Sequence, residues 1–267
     1  MTPPNTHTTY PLRRLKHGLI EQTDDMLAEE APVALVYNGI SHVVLMTTPV
    51  DLAELALGFS LSEGILHHAA EAYDIEVQTA CNGIEVHLEI ASARFQALKE
   101  RRRNMNGRTG CGLCGIDSLA AAKPEIPSVT RSSKMTAADI QTALNNMAQH
   151  QTLRQLTGSV HGAAWVENGN IVRLFEDIGR HNALDKLLGW GAKTDLDWQQ
   201  GFVLISSRAS YEMIAKAAML GIGCIVAVSA PTALAVQLAQ DAGITLVGFA
   251  KPQQFAVYSH PDFIQMK

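Results

Sequence analysis

Residues 106–119, NGRTGCGLCGIDSL, hold two of the four cysteines, Cys111 and Cys114, at CxxC spacing. Two thiolates so placed can ligate zinc, cycle between dithiol and disulfide, or present one nucleophilic sulfur beside a helper. Zinc needs four ligands, and the chain has no second CxxC and no HxxxH, so Cys81, Cys224 and scattered histidines would have to complete the set. A thioredoxin-like switch sits between a strand and a helix, whereas this pair follows a helical segment and precedes the proline-bearing AKPEIPSVTRSSK. Two buried structural cysteines fit poorly among Gly107, Gly110, Gly112 and Gly115, which offer little to pack against. A reactive thiolate remains. Arg108 and the upstream KERRR, residues 99–103, favour negative sulfur, and glycines let the loop carry it between donor and acceptor.

A second set of polar residues falls at turns after apolar strands. FVLISS, CIVAVSA and ITLVGFA read as buried strands, separated by the helices SYEMIAKAAMLG and TALAVQLAQDAG, which end at Gly221 and Gly243. In such a βαβαβ array ligands collect beyond the carboxyl ends of the strands, at helix N-termini. The loops selected are SSRAS with Ser206, Ser207 and Arg208, SAPT with Ser229 and Thr232, and GFAKPQQ with Phe249, Lys251 and Gln254. DIGRHN adds Arg180 and His181. Together these groups suit phosphates or a nucleotide, although Ser and Thr ahead of a helix also serve as simple caps. Deaminase chemistry is not supported: zinc deaminases place His-x-Glu before Pro-Cys-x-x-Cys. Here Cys111 comes before His161, Gly162 and Ala163 follow that histidine, and no proline precedes Cys111.

The elements that must position these groups divide in two. PVALVYNGISHVVLMTT predicts a hairpin about Asn38-Gly39, and IEVQTACNGIEVHLEI a second about Asn82-Gly83. Asp51 is expected to cap the helix of DLAELALGFSLSEGIL, and Ser92 opens a helix that runs into the arginines. The N-terminal part is thus ββα twice over, an α+β domain over residues 1–110. The CxxC loop and linker occupy 111–134. An α/β domain with a largely parallel sheet follows over 135–267. Thr136 and Asp139 form a capping box for a helix whose Ile140, Leu144 and Met147 share one face, and Asn182 is expected to cap the helix after EDIG.

Of 267 residues, 47% are hydrophobic and 18% charged, enough to bury a substantial core without staples. Four unevenly spaced cysteines point to a reducing compartment and free thiols. Arg13 and Arg14 are followed by the acidic LKHGLIEQTDDMLAEE, not by an apolar export signal or membrane span, so a cytoplasmic location is expected. A formal net charge of -5 argues against general nucleic-acid binding.

The stretches EAPVALVYNGISH, ALGFSLSEGI, GRTGCGLCGIDSL, SVHGAAW, EDIGRHNALDKLLG, SSRASYEMIAKAAMLGI and VSAPTALAVQLA together resemble the formate dehydrogenase accessory sulfurtransferases, the FdhD family. The likeness runs through nearly the whole chain from about residue 30. It implies that sulfur is accepted from a cysteine desulfurase as a cysteine persulfide. The sulfur is then passed to the molybdenum of bis(molybdopterin guanine dinucleotide) before that cofactor enters formate dehydrogenase. Cys111 matches the persulfide-bearing cysteine and Cys114 its partner. The resemblance also implies a C-terminal domain of cytidine deaminase-like fold and a homodimer. Its cofactor stretch falls on Phe249, Ala250, Lys251, Pro252, Gln253 and Gln254. The family pattern there is Gly-Phe-x-Arg-x-x-Arg, so Lys251 keeps a point charge without the bidentate fork and Gln254 loses the charge. Ser207 and Arg208 are the alternative phosphate contacts. Two rival functions follow from the same residues, a cofactor-binding chaperone without covalent chemistry and a dithiol oxidoreductase.

Overall fold

Hairpin turns marked by a residue-glycine pair set most of the local pairing. The computed structural model describes residues 5–105, 126–130 and 134–266, and of residues 102–105 the helical backbone alone. His17 and Gly18, with φ of 51° and 82°, turn β1 (His7–Lys16) into β2 (Leu19–Ala28) as a separate two-stranded ribbon. Asn38 and Gly39, at 44° and 79°, join β3 (Ala31–Tyr37) to β4 (Ile40–Thr47). Then come α1 (Leu52–Ser62), the hairpin of β5 (Ala72–Ala80) and β6 (Gly83–Ile90), and α2 (Ser92–Met105). The strand order is β4-β3-β6-β5, with β3 and β6 parallel. Val33, Leu35, Tyr37, Val86 and Leu88 face Leu52, Leu55 and Ala56 of α1 in one apolar core. The expected ββα repeat is therefore present.

The C-terminal elements are β7 (Met135–Thr136), α3 (Ala137–His150), α4 (Thr152–Thr157), β8 (His161–Glu167), β9 (Asn170–Asp177), α5 (Arg180–Lys193) and β10 (Phe202–Ile205). They continue with α6 (Tyr211–Met219), β11 (Cys224–Ala227), α7 (Ala233–Ala242), β12 (Thr245–Lys251), β13 (Gln254–Ser259) and β14 (Ile264–Gln265). One sheet runs β13-β12-β11-β10-β8-β9. Packed on one face are α5, α6 and α7, through Leu184, Leu187, Met213, Ile214, Leu238 and Ala239; α3 covers the other through Ile140, Leu144 and Met147. Ahead of β7, Val129 joins the first of these cores and donates its N–H to Ala242 O at 2.7 Å.

Three sequence expectations need correction. The sheet is mixed, not largely parallel: β10–β11 and β11–β12 are parallel, while β10–β8, β8–β9 and β12–β13 are antiparallel. A parallel neighbour needs a crossover, and α6 and α7 supply two; β8–β9 and β12–β13 are joined by short turns that permit only the antiparallel pairing. Asp51 does not cap α1 through its side chain. It takes a left-handed φ of 54°, and burial raises its carboxyl pKa, opposed by nearby Lys186. Asn182 does not cap α5 either. The helix begins one turn earlier, behind Gly179, and the Asn182 amide donates to Asp177 Oδ1 at 2.9 Å and to the Met46 carbonyl at 2.8 Å. The Thr136–Asp139 capping box forms as expected, with Asp139 N–H donating to Thr136 Oγ1 at 3.0 Å.

The N-terminal and C-terminal elements meet along α1 and α5, and two buried lysines bridge them. Lys186 Nζ lies 2.7 Å from Asp177 Oδ2 with both side chains fully enclosed, and donates to Thr48 Oγ1 at 2.8 Å. Lys216 Nζ lies 2.9 Å from Glu63 and 3.1 Å from Asp185, and donates to Ser62 Oγ at 2.8 Å. Buried charges persist only where paired and hydrogen-bonded in this way.

Candidate functional site

Cys111 and Cys114 lie outside the described residues. The helix that leads toward them is anchored: Arg101 of α2 donates to the Glu63 carbonyl at 2.8 Å, and the Glu63 carboxylate meets Lys216. Of the other two thiols, Cys224 is buried in β11 and Cys81 is exposed in the turn between β5 and β6.

The three strand-end loops picked out by sequence are brought together and laced by backbone bonds. Ala209 forms a parallel bridge with Pro231, and Thr232 N–H donates to Ala209 O at 3.0 Å, joining the loop after β10 to the loop after β11. Phe249 N–H donates to Ser229 O at 3.1 Å, which adds the end of β12. Gly248 allows this approach, since a Cβ there would lie 2.7 Å from Pro231 Cδ. Thr232 also caps α7, accepting from Ala235 N–H at 3.2 Å. On the other side, Ser206 N–H donates to Gly162 O and Gly162 N–H returns a bond to Ser206 Oγ, both at 2.9 Å. The start of β8 thus belongs to the same edge.

Within this edge the side chains differ in availability. Ser207 is buried and its hydroxyl donates to the Arg208 carbonyl at 3.0 Å, whereas the Arg208 side chain is exposed. Phe249 is 48% exposed and held at a φ of 48°. Ala250 is fully buried against the α3 side of the sheet, so it can offer a ligand only its backbone. Lys251, Pro252, Gln253 and Gln254 are exposed at the β12–β13 turn, where Gln253 N–H donates to the Gln141 side chain of α3. The stretch Phe249–Gln254 is therefore split between an open aromatic ring at the loop cluster and a polar turn beyond it.

In the first turns of α5 and α6 lies a charged group that the sequence reveals only in part. His181 Nε2 is 2.8 Å from Glu212 Oε2, and Arg180 approaches the same carboxylate at 3.9 Å. Burial holds the His181 pKa below its ordinary value, opposed by Glu212 and reinforced by Arg180 and Lys216. His161 is lowered too, first by burial and then by Arg154 and Arg180. Both rings are therefore neutral near pH 7 and can donate through one nitrogen and accept through the other. Glu212 escaped the sequence reading because a glutamate in the first turn of a helix is unremarkable. Its pairing with His181 depends on two helices starting at one sheet edge, which no local pattern encodes.

Comparison with known proteins gives a whole-chain likeness. Residues 28–265 match the model of the FdhD/NarQ family. A sulfur carrier protein FdhD of Cupriavidus necator is 51% identical over 98% of this chain and 91% of its own length. Another sulfur carrier protein FdhD, from Acinetobacter baylyi, is 50% identical over 88% of this chain and 86% of its own. In fold, the chain resembles the crystal structure of a candidate formate dehydrogenase accessory protein from Desulfotalea psychrophila. The TM-score is 0.76 at 23% identity, over 97% of this chain and all of that one.

Proposed function

Because the chain belongs to the FdhD/NarQ family, we propose that it is a sulfur carrier that matures formate dehydrogenase, using Cys111 as a persulfide anchor. The observation that carries this reading is the identity with named sulfur carriers across almost the full length, together with the glycine-flanked CxxC in the sequence. In the loading step the Cys111 thiolate attacks the outer sulfur of a cysteine desulfurase persulfide. A new S–S bond forms, the old one breaks, and the donor cysteine leaves as thiolate. In the release step the Cys114 thiolate attacks Cys111 Sγ and expels the outer sulfur as hydrosulfide. The two thiols supply the two electrons and end as a disulfide, which an external thiol reduces. The acceptor is the molybdenum of bis(molybdopterin guanine dinucleotide), bound as substrate.

This chain's own part in holding that substrate falls to the strand-end edge. The exposed Phe249 ring can stack on a guanine, and Arg208 with the Ser207 loop can meet phosphate. Lys251 and Gln254, at the exposed turn, contribute weaker and solvent-screened contacts. The domain over residues 135–267 reads as cytidine deaminase-like in form, with His181 and Glu212 at the helix N-termini, but without the His-x-Glu and Pro-Cys-x-x-Cys of that chemistry. The reading further includes a cytoplasmic homodimer that meets the desulfurase and the formate dehydrogenase apoenzyme in turn. Among the described residues no helix is long and apolar enough to cross a membrane.

The test is co-expression of a client formate dehydrogenase with wild type, Cys111→Ala or Cys114→Ala. The sulfur-carrier reading expects no client activity with Cys111→Ala, and partial activity with Cys114→Ala that rises with added thiol. Full activity with Cys111→Ala would leave the chaperone reading in its place.

A further inference from the structure

Buried polar atoms in folded proteins nearly always find a hydrogen-bond partner, and each exception calls for a cause. Among the described residues Gln151 Nε2, His161 Nδ1, Arg180 Nε and Ser210 Oγ are buried with none. They come from four separate side chains, yet all gather at one place. His161 heads β8 and sits opposite Asp177, the last residue of β9. Asp177 accepts the Gly179 N–H at 2.9 Å, which places Arg180 beside that pair. Arg180 in turn approaches Glu212, two residues past Ser210 at the start of α6. Gln151 is 6% exposed and lies against Gly162, where a Cβ would come within 2.7 Å of its Nε2. The stranded atoms thus line the same edge that the strand-end loops define.

Their chemistry is one-sided. Arg180 Nε and Gln151 Nε2 can only donate, and the Ser210 hydroxyl and the neutral His161 ring can do so. The nearby carboxylates are already engaged: Asp177 by Lys186, Thr48, Asn182 and the Gly179 N–H, Glu176 by the backbone N–H groups of Leu153 and Arg154, and Glu212 by His181 and Arg180. Arg154 adds a further positive charge close enough to depress the His161 pKa. We propose that Gln151, His161, Arg180 and Ser210 form an oxyanion subsite that takes a phosphate group. An acceptor-only tetrahedral anion would complete four donors at once. This deepens the reading above, on which it rests, by supplying the nucleotide arm with enclosed phosphate contacts where Lys251 and Gln254 offer exposed ones.

The experiment is calorimetric titration of the full chain with inorganic phosphate and with GDP, at constant ionic strength. Wild type should bind both. Arg180→Gln, at a side chain about one third exposed, and the near-isosteric Gln151→Glu should each weaken both by at least tenfold. Lys193→Gln, which removes one exposed charge from the far end of α5, should change neither by more than twofold. Urea midpoints confirm that each variant is folded. GDP affinity retained in both site variants would overturn the subsite and leave the nucleotide reading standing, the stranded atoms then being satisfied by ordered water only. Failure of wild type to bind either probe would overturn both.

Discussion

Gly58 of α1 and Gly189 of α5 face each other with no room for a side chain on either. A Cβ on Gly58 would stand 1.8 Å from the Asp185 carbonyl oxygen, and one on Gly189 would stand 1.9 Å from that of Glu54. Backbone meets backbone here, so relief requires the helices to move apart and the domain junction to open. Overpacking by one methyl ordinarily costs 1–3 kcal/mol, and with backbone as the obstacle Gly58→Ala should lie near the top of that range, about 3 kcal/mol. Urea unfolding reads the cost as a lower midpoint. A loss below about 1 kcal/mol would contradict the close helix crossing.

Lys216 carries the second prediction. Removing one member of a buried pair strands the other, at a cost of roughly 3–5 kcal/mol, whereas replacing both with apolar groups often restores it. Lys216→Met should therefore destabilise strongly, and Lys216→Met/Asp185→Leu should recover much of the loss. Burial works against the Lys216 charge, but Asp185 and Glu63 overcome it and hold the pKa above the ordinary 10.5. On the alkaline side the contribution of the Lys216 charge is complete below about pH 10.5 and is lost as pH rises through the elevated value. Denaturation midpoints across the alkaline range should fall more steeply for wild type than for the double variant.

Acid acts through the histidines of the strand-end edge. Both His161 and His181 titrate below 6.5 in the fold, so the unfolded chain binds protons first. Their contribution to stability is present above about pH 6.5 and is lost as pH falls through the lowered values. Thermal midpoints of His161→Gln/His181→Gln should accordingly decline less than those of wild type between pH 6.5 and 5. Parallel curves would show that neither ring is depressed.

What could be read from sequence was what local chemistry encodes. Asn38-Gly39 announces its hairpin because positive φ is demanded at two adjacent residues, and Thr136 with Asp139 announces α3 because a capping box closes within one turn. The β1–β2 ribbon went unread: HTTYPLRRLK and LIEQTDDMLA lack clean alternation, and almost every residue in them faces water. The antiparallel flanks of the large sheet depend on which distant strand each edge finds. Asn182, a cap by residue type, is instead taken over by Asp177 and by a carbonyl in the other domain. The loops Ser206–Arg208, Ser229–Thr232 and Phe249 were legible as one edge from the strand-end rule. Gln151 was not, and Ser210 was legible only as part of the SSRAS loop, since a missing hydrogen-bond partner exists only in three dimensions.

Whether Cys111 carries sulfur can be read from the mass of the peptide that contains it. The full chain is incubated with a cysteine desulfurase, pyridoxal phosphate and cysteine, alkylated without reductant, digested and compared with a sample treated with dithiothreitol. A persulfide carrier gains one sulfur atom on the Cys111 peptide, sensitive to dithiothreitol, retained in Cys114→Ala and absent in Cys111→Ala. An unmodified Cys111 beside a desulfurase that is itself loaded with persulfide would contradict it.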